Sequence, residues 1–305
     1  MLKQRLLFAL PTVAVVLILA YIDGHLAIKG LALMPVLLVS LGFLCKELLD
    51  LLSAGGLHPR RSTVYLGTYL MAICCWAICV GHYHDLWALV HLLEPVDEVA
   101  WRWAAGAAMG ILFTFAGGIL IAFAGEMWRY KRHENLGGVT INLSGAVFIM
   151  GYLGLLTCFI IMLRMTYGLV PLLMMIAIVK LNDVGAYTIG RIFGRHKMAP
   201  ELSPKKTIEG GIGGLIFSVF TSWFCFYFIS EAPPTVANWL WFGLVVALAG
   251  SLGDLAGSLI KRDVGKKDSS TLIPGFGGLL DVFDSLIIAA PVAFFWWTFC
   301  VEKNL

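Results

Sequence analysis

Long apolar runs, each about the length a bilayer requires, recur along this chain with short polar breaks between them. They fall at about 6–22, 31–52, 64–81, 101–124, 138–163, 168–188, 211–230, 237–258 and 286–301. Lipid offers no hydrogen-bond partner to an open backbone, so each run is expected to be a helix. The pattern predicts an all-α, polytopic integral membrane helical bundle of about nine transmembrane helices. A short segment at 85–93 adds at most a partial helix. The first run follows Met1-Leu2-Lys3-Gln4-Arg5 and is not followed by a clear small-x-small cleavage site, which favours a retained span over a signal peptide.

Composition agrees with the pattern. Of 305 residues, 59% are hydrophobic and 13% charged, well below the roughly 25% charged of soluble domains. The net charge of +3 gives no reason to expect nucleic acid as a partner. The seven cysteines all lie in apolar runs, without zinc-like spacing to histidine, and read as packing residues. His82, His84 and His91 read as an interfacial group without a metal.

The placement of the basic residues changes the picture more. Lys3 and Arg5 precede the first run, and Arg60 and Arg61 follow the second. Arg129, Lys131 and Arg132 follow the fourth, Arg191 to Lys206 the sixth, and Lys261 to Lys267 the eighth. Every second loop is basic, which puts the N-terminus in the cytoplasm and both large polar loops, 189–210 and 259–285, on the cytoplasmic side. A single membrane domain over 1–305 is expected, with 1–164 mainly scaffold and 165–305 carrying the chemistry.

Two polar clusters stand out in that second half. In the first, Asp183 lies inside an apolar run, where an ionisable residue by default suggests function. Asp183, Tyr187, Gly190 and Arg191 share a helix face. Lys197, Ser203, Lys205, Lys206, Thr207 and Glu209 follow, then glycines at 210, 211, 213 and 214. Positive charge, hydroxyls and backbone N–H groups before a helix suit a phosphate chain. In the second cluster, Asp254, Ser258 and Lys261 share a face, with Arg262 adjacent. Lys267 and Asp268 follow, then Pro274 and glycines at 275, 277 and 278, then Asp281, Asp284 and Ser285. Asp254, Asp281 and Asp284 are the candidates for holding magnesium through oxygen, with the basic residues left to bind phosphates.

These two stretches resemble a known family. Residues 258–284, S-L-I-K-R-D-V-G-K-K-D-S-S-T-L-I-P-G-F-G-G-L-L-D-V-F-D, are similar to the signature of the phosphatidate cytidylyltransferases, or CDP-diacylglycerol synthases. The match covers Ser258, Lys261, Arg262, Lys267, Asp268, Pro274, Gly277, Gly278, Asp281 and Asp284. Residues 182–214 resemble the same family. The resemblance implies CTP + phosphatidate → CDP-diacylglycerol + pyrophosphate, a step of phospholipid biosynthesis, with magnesium and an optional second cation. On that reading Asp254, Asp281 and Asp284 bind metal, and Lys206, Lys261, Arg262 and Lys267 hold phosphates. Ser203, Thr207 and Ser258 are hydroxyl partners, and Asp183 orients a basic residue or joins the metal site. Asp268 joins the catalytic set. Tyr187, Arg191, Lys197, Lys205, Glu209, Gly277 and Gly278 are the remaining substrate-binding candidates.

The chain departs from the family pattern at Phe276, commonly histidine, Val282, commonly arginine, Gly257, commonly glutamate, and Ile208, commonly tryptophan. The expected partners are CTP, phosphatidate and membrane lipid, without nucleic acid and with a homodimer left open. The expected location is a bacterial plasma membrane, with the site facing the cytoplasm. The competing readings are another CTP- or lipid-phosphate-dependent membrane phosphotransferase, an anionic-ligand transporter, and a family member that no longer catalyses.

Overall fold

A computed structural model describes residues 15, 18–26, 28–81, 96–131, 138–230, 235–270 and 277–301. Most of the expected span at 6–22, the segment at 85–93, the three histidines and Phe276 lie outside the described residues. The helices are α1 (Leu33–Ala54), α2 (Arg61–Gly81), α3 (Val96–Lys131), α4 (Val139–Ile149), α5 (Leu156–Tyr167), α6 (Leu169–Phe193), α7 (Ile208–Phe228), α8 (Phe242–Asp263) and α9 (Leu280–Trp296). Wider π-helical turns join α4 to α5 at Met150–Leu155, precede α8 at Ala237–Trp241 and extend α9 at Trp297–Val301.

Seven helical stretches among the described residues are long and apolar enough to cross a membrane: Arg61–Val80, Met109–Tyr130, Val139–Tyr167, Leu169–Phe193, Ile208–Phe228, Ala237–Asp263 and Leu280–Val301. They correspond to the last seven apolar runs. The expected span at 31–52 is helical as α1, but Lys46, Glu47 and Asp50 crowd its C-terminal part and keep it out of that set.

The chain divides into two compact units, 1–166 and 167–305. In the first, α2 packs along α3 and the π-helical turn, and α3 meets α4. A buried ion pair closes this unit. Asp23, 0% exposed, accepts from Arg164 Nη2 at 2.5 Å and Nε at 3.1 Å, and from the backbone of Gly30 and Ala32 at 3.1 and 3.0 Å. Four donor atoms converge on this buried carboxylate, so removing it strands a buried guanidinium. Asp23→Ala is expected to destabilise the protein by about 3–5 kcal/mol, read as a fall in the thermal midpoint of the purified protein in detergent. An unchanged midpoint would show the clamp to be dispensable.

In the second unit, α6 packs along α7, α8 along α9, and α8 touches both α6 and α7. Glycines set the first contact. A Cβ at Gly210 would stand 2.7 Å from the Ala186 carbonyl, and one at Gly214 2.6 Å from Asn182 Oδ1. Small residues let helix backbones approach in lipid. These glycines were expected before a helix, as a phosphate cradle. The helix instead starts at Ile208, so they lie within it, and Gly210, Gly213 and Gly214 serve its packing on α6.

The stretch 189–210 is also more ordered than a loop. After α6 ends at Phe193, β1 (Lys197–Ala199) and β2 (Ser203–Thr207) pair antiparallel, Lys197 opposite Thr207 and Ala199 opposite Ser203. This small hairpin is the one departure from an all-α fold among the described residues. Thr207 then caps α7, its Oγ1 accepting from Gly210 N at 3.2 Å.

Candidate active site

The site is built where α8 meets α9. A Cβ at Gly253 would stand 2.5 Å from the Asp284 carbonyl oxygen and 2.8 Å from Ser285 Cα. One at Gly257 would stand 2.5 Å from Asp284 Oδ2 and 3.0 Å from its Cβ. Two glycines one helical turn apart thus let the backbone of α9 rest on α8. The contact covers Asp284, which is 1% exposed. Its Oδ1 accepts from its neighbour Ser285 N at 2.6 Å, while its Oδ2 has no hydrogen-bond partner among the described residues.

The ends of the two helices carry the other charges. α8 closes with Gly265 in the left-handed region, φ +67°, with Lys266 N donating to the Lys261 carbonyl at 2.8 Å. That closure leaves Lys261 and Arg262 in the last helical turn, where the helix dipole favours cations. Lys261 is buried and donates to Asp281 Oδ1 at 2.5 Å. Asp281 sits in the first turn of α9. Its Oδ2 accepts from Gly278 N at 2.9 Å and from the N and Oγ of Ser269, both at 3.1 Å. Gly277, at φ +97°, must lack a side chain here, since its Cβ would stand 2.7 Å from Asp281 Oδ2.

The hairpin joins this site from the other motif. Lys206, next to last in β2, forms an ion pair with Asp254 of α8. Arg262 donates to the Leu202 carbonyl at 3.3 Å and to that of Lys266 at 3.3 Å, tying the hairpin to the end of α8. From α6, Asn182 donates to Ser251 at 3.0 Å, and Lys180 pairs with Asp183 at 3.7 Å. Lys180 also donates to the Val282 carbonyl at 2.8 Å and to Ser285 Oγ at 3.4 Å, so it ties Asp183 of α6 to the acid-bearing turns of α9. These bonds and the packing of α6, β2, α8 and α9 bring Asp183, Lys206, Asp254, Lys261, Asp281 and Asp284 into one cluster.

Other expected residues have different surroundings. Glu209 braces the hairpin, accepting from the backbone of Arg195 at 3.1 Å and from His196 Nδ1 at 2.6 Å. Tyr187 and Arg191 bond each other at 3.2 Å on an exposed face of α6. Lys197, Lys205, Lys267 and Asp268 are exposed, and Ser203 and Ser258 are half-buried. Two residues of the site escaped the sequence reading. Lys180 was signalled by its position three residues before Asp183 in the same apolar run. Ser269 carried no signal, because its bonds to Asp281 arise only from the folding of the loop.

The expected magnesium ligands do not converge as a ready cage. Among the described residues no group of three or more His, Cys, Asp or Glu side chains is placed to hold a metal. Asp254 and Asp281 are each neutralised by a lysine. The donor chemistry nevertheless fits a hard divalent cation: all three are carboxylates, and Asp284 Oδ2 is buried without a partner among the described residues.

Known proteins show the same relationship. The profile of the Cytidylyltransferase family matches residues 3–300. The chain is 41% identical over 133 residues to the "Uncharacterized protein YnbB" of Escherichia coli (strain K12), covering 44% of each chain. It is 43% identical over 127 residues to a phosphatidate cytidylyltransferase of Staphylococcus aureus (strain COL), covering 41% of this chain and 48% of that one. The corresponding enzyme of Staphylococcus haemolyticus (strain JCSC1435) is 42% identical over 125 residues, with the same coverage of 41% and 48%. These matches span just under half the length of each relative. With two linked motifs in one cluster and a family match along nearly its whole length, the chain belongs to the cytidylyltransferase family.

Proposed function

We propose that this integral membrane protein transfers CMP from CTP to phosphatidate, giving CDP-diacylglycerol and pyrophosphate. The observation that carries this reading is the junction of the two motifs, made by the Lys206–Asp254 ion pair and the Arg262–Leu202 bond. It joins the basic hairpin to the acid-bearing ends of α8 and α9, and so sets cations beside carboxylates where a triphosphate and a lipid phosphate must meet.

In the proposed reaction an oxygen of the phosphatidate phosphate attacks the α-phosphorus of CTP. The bond from that phosphorus to the oxygen bridging to the β-phosphorus breaks, and its electron pair leaves with pyrophosphate. Such transfers depend on positioning and charge neutralisation rather than on covalent help from the protein. Lys206, Lys261 and Arg262 bind phosphate oxygens, with Lys267 on the exposed approach. Ser258 is a hydroxyl partner, and Thr207 holds the start of α7. Asp254, Asp281 and Asp284 would hold magnesium, which supplies charge neutralisation on phosphate oxygens. Asp183 orients Lys180 and shares the field of Lys206. Residues 1–164 serve as scaffold and 165–305 as the catalytic half. The alternation of basic loops supports a cytoplasmic N-terminus and a site facing the cytoplasm, in a bacterial plasma membrane.

The test uses purified protein in mixed micelles with phosphatidate, magnesium and CTP labelled at either the α- or the γ-phosphorus. Label from the α-position is expected in lipid, and label from the γ-position in pyrophosphate. Label from the γ-position in lipid would make the protein a lipid kinase. No label in lipid, with a phosphatidate cytidylyltransferase active in parallel, would overturn the assignment.

A further inference from the structure

The ammonium of Lys180 is a cation inside a membrane-spanning helix, and the proposed reaction assigns it no phosphate. It reaches from α6 to α9, where Nζ donates to the Val282 carbonyl at 2.8 Å and to Ser285 Oγ at 3.4 Å. It also pairs with Asp183 at 3.7 Å on its own helix. The Val282 carbonyl and Ser285 hydroxyl lie in the same stretch of α9 as Asp281 and Asp284, and the Ser285 N–H donates to Asp284 Oδ1 at 2.6 Å. Its side chain is 36% exposed, yet the ammonium is not left to water alone. It spends its donors on a backbone carbonyl and a buried serine, Ser285 being 2% exposed. Val282 brings no charge to that turn of α9; Lys180 brings one from α6.

We propose that Lys180 is a positioning residue for the nucleotidyl-transfer site. It holds the first turns of α9 against α6 and fixes where Asp281 and Asp284 stand relative to Asp254. Its charge also offsets the repulsion among Asp183, Asp254 and Asp284, which keeps three acids compatible at membrane depth. The inference rests on the transferase reading and adds to it a residue that acts through the acids rather than on substrate.

Lys180→Met and Lys180→Arg in the full-length protein test it. Partners that orient metal-binding carboxylates typically change affinity or activity by about 10–100-fold when lost. Lys180→Met is therefore expected to lower kcat and to raise, by about tenfold or more, the magnesium concentration giving half of the magnesium-induced rise in thermal midpoint. KM for phosphatidate is expected to stay within about twofold, because the lysine does not touch substrate in this reading. Lys180→Arg keeps the charge and is expected to recover most of the rate.

Lys180→Met with a lower thermal midpoint but wild-type kcat and magnesium response would reduce Lys180 to a structural tie and overturn the proposal. So would equal failure of the Met and Arg variants with a raised KM for substrate, which would place the ammonium on substrate. A wild-type protein that transfers no CMP refutes the transferase reading instead. The magnesium midpoints of the folded variants then still judge whether Lys180 positions the acids, and identical midpoints would reject it.

Discussion

Asp281→Asn is expected to lower the rate of CMP transfer by at least about 10²-fold, the scale of losing a group that stabilises the transition state. The geometry makes asparagine a poor substitute in either orientation. Asp281 Oδ1 accepts from Lys261, and Oδ2 accepts from Gly278 N and from two atoms of Ser269. An amide has one acceptor oxygen, so its NH2 must face either an ammonium or a set of three donors. Lys261 would also lose its counter-charge while buried. A cost of about 3 kcal/mol in stability is expected alongside the loss of rate. Steady-state rates at saturating CTP, with thermal midpoints on the same samples, measure both. A near-wild-type rate would remove Asp281 from the reacting centre.

Alanine at Gly253 and at Gly257 separates packing from chemistry. At Gly253 the new methyl group meets backbone, the Asp284 carbonyl and Ser285 Cα, and neither can rotate away. The helices must part, and a loss of about 3 kcal/mol is expected. At Gly257 it meets the Asp284 side chain, at Oδ2 and Cβ. That side chain moves more easily than the backbone, so about 1 kcal/mol of stability is expected to be lost. The rate is expected to fall by about 10²-fold, because a displacement on the order of 1 Å at a reacting group is enough for that. Thermal midpoints and initial rates measure both, and an unchanged midpoint for Gly253→Ala would show that α8 and α9 are not in backbone contact.

The extent to which the sequence disclosed this arrangement follows from the reach of each interaction. Bilayer-length apolar runs are local, and seven of them reappear as helices able to span. The acids and bases of the cluster were legible because charge at membrane depth is conspicuous wherever it occurs. The sequence shows Lys180 only as a neighbour of Asp183 on one helix; its partners on α9 lie about a hundred residues away, and nothing in a helical period points across such a gap. The hairpin was passed over for the opposite reason. Pro204 and the neighbouring lysines look like loop residues, and its strands are too short to show alternation. The dispersal of the three expected metal acids reflects competition. Lysines from β2 and α8 already satisfy two of them, and spacing along the chain cannot show which partner a carboxylate takes.

The hairpin has a consequence for its adjacent lysines. Successive side chains on a strand leave it in opposite directions. Lys206 turns inward to Asp254, while Lys205 remains exposed. On a helix the two would diverge by only about 100° and compete for one environment. Two residues of the same kind can thus divide their labour. One faces the acids of the site, and its neighbour stays exposed to meet polyanions arriving from water or lying in the lipid surface.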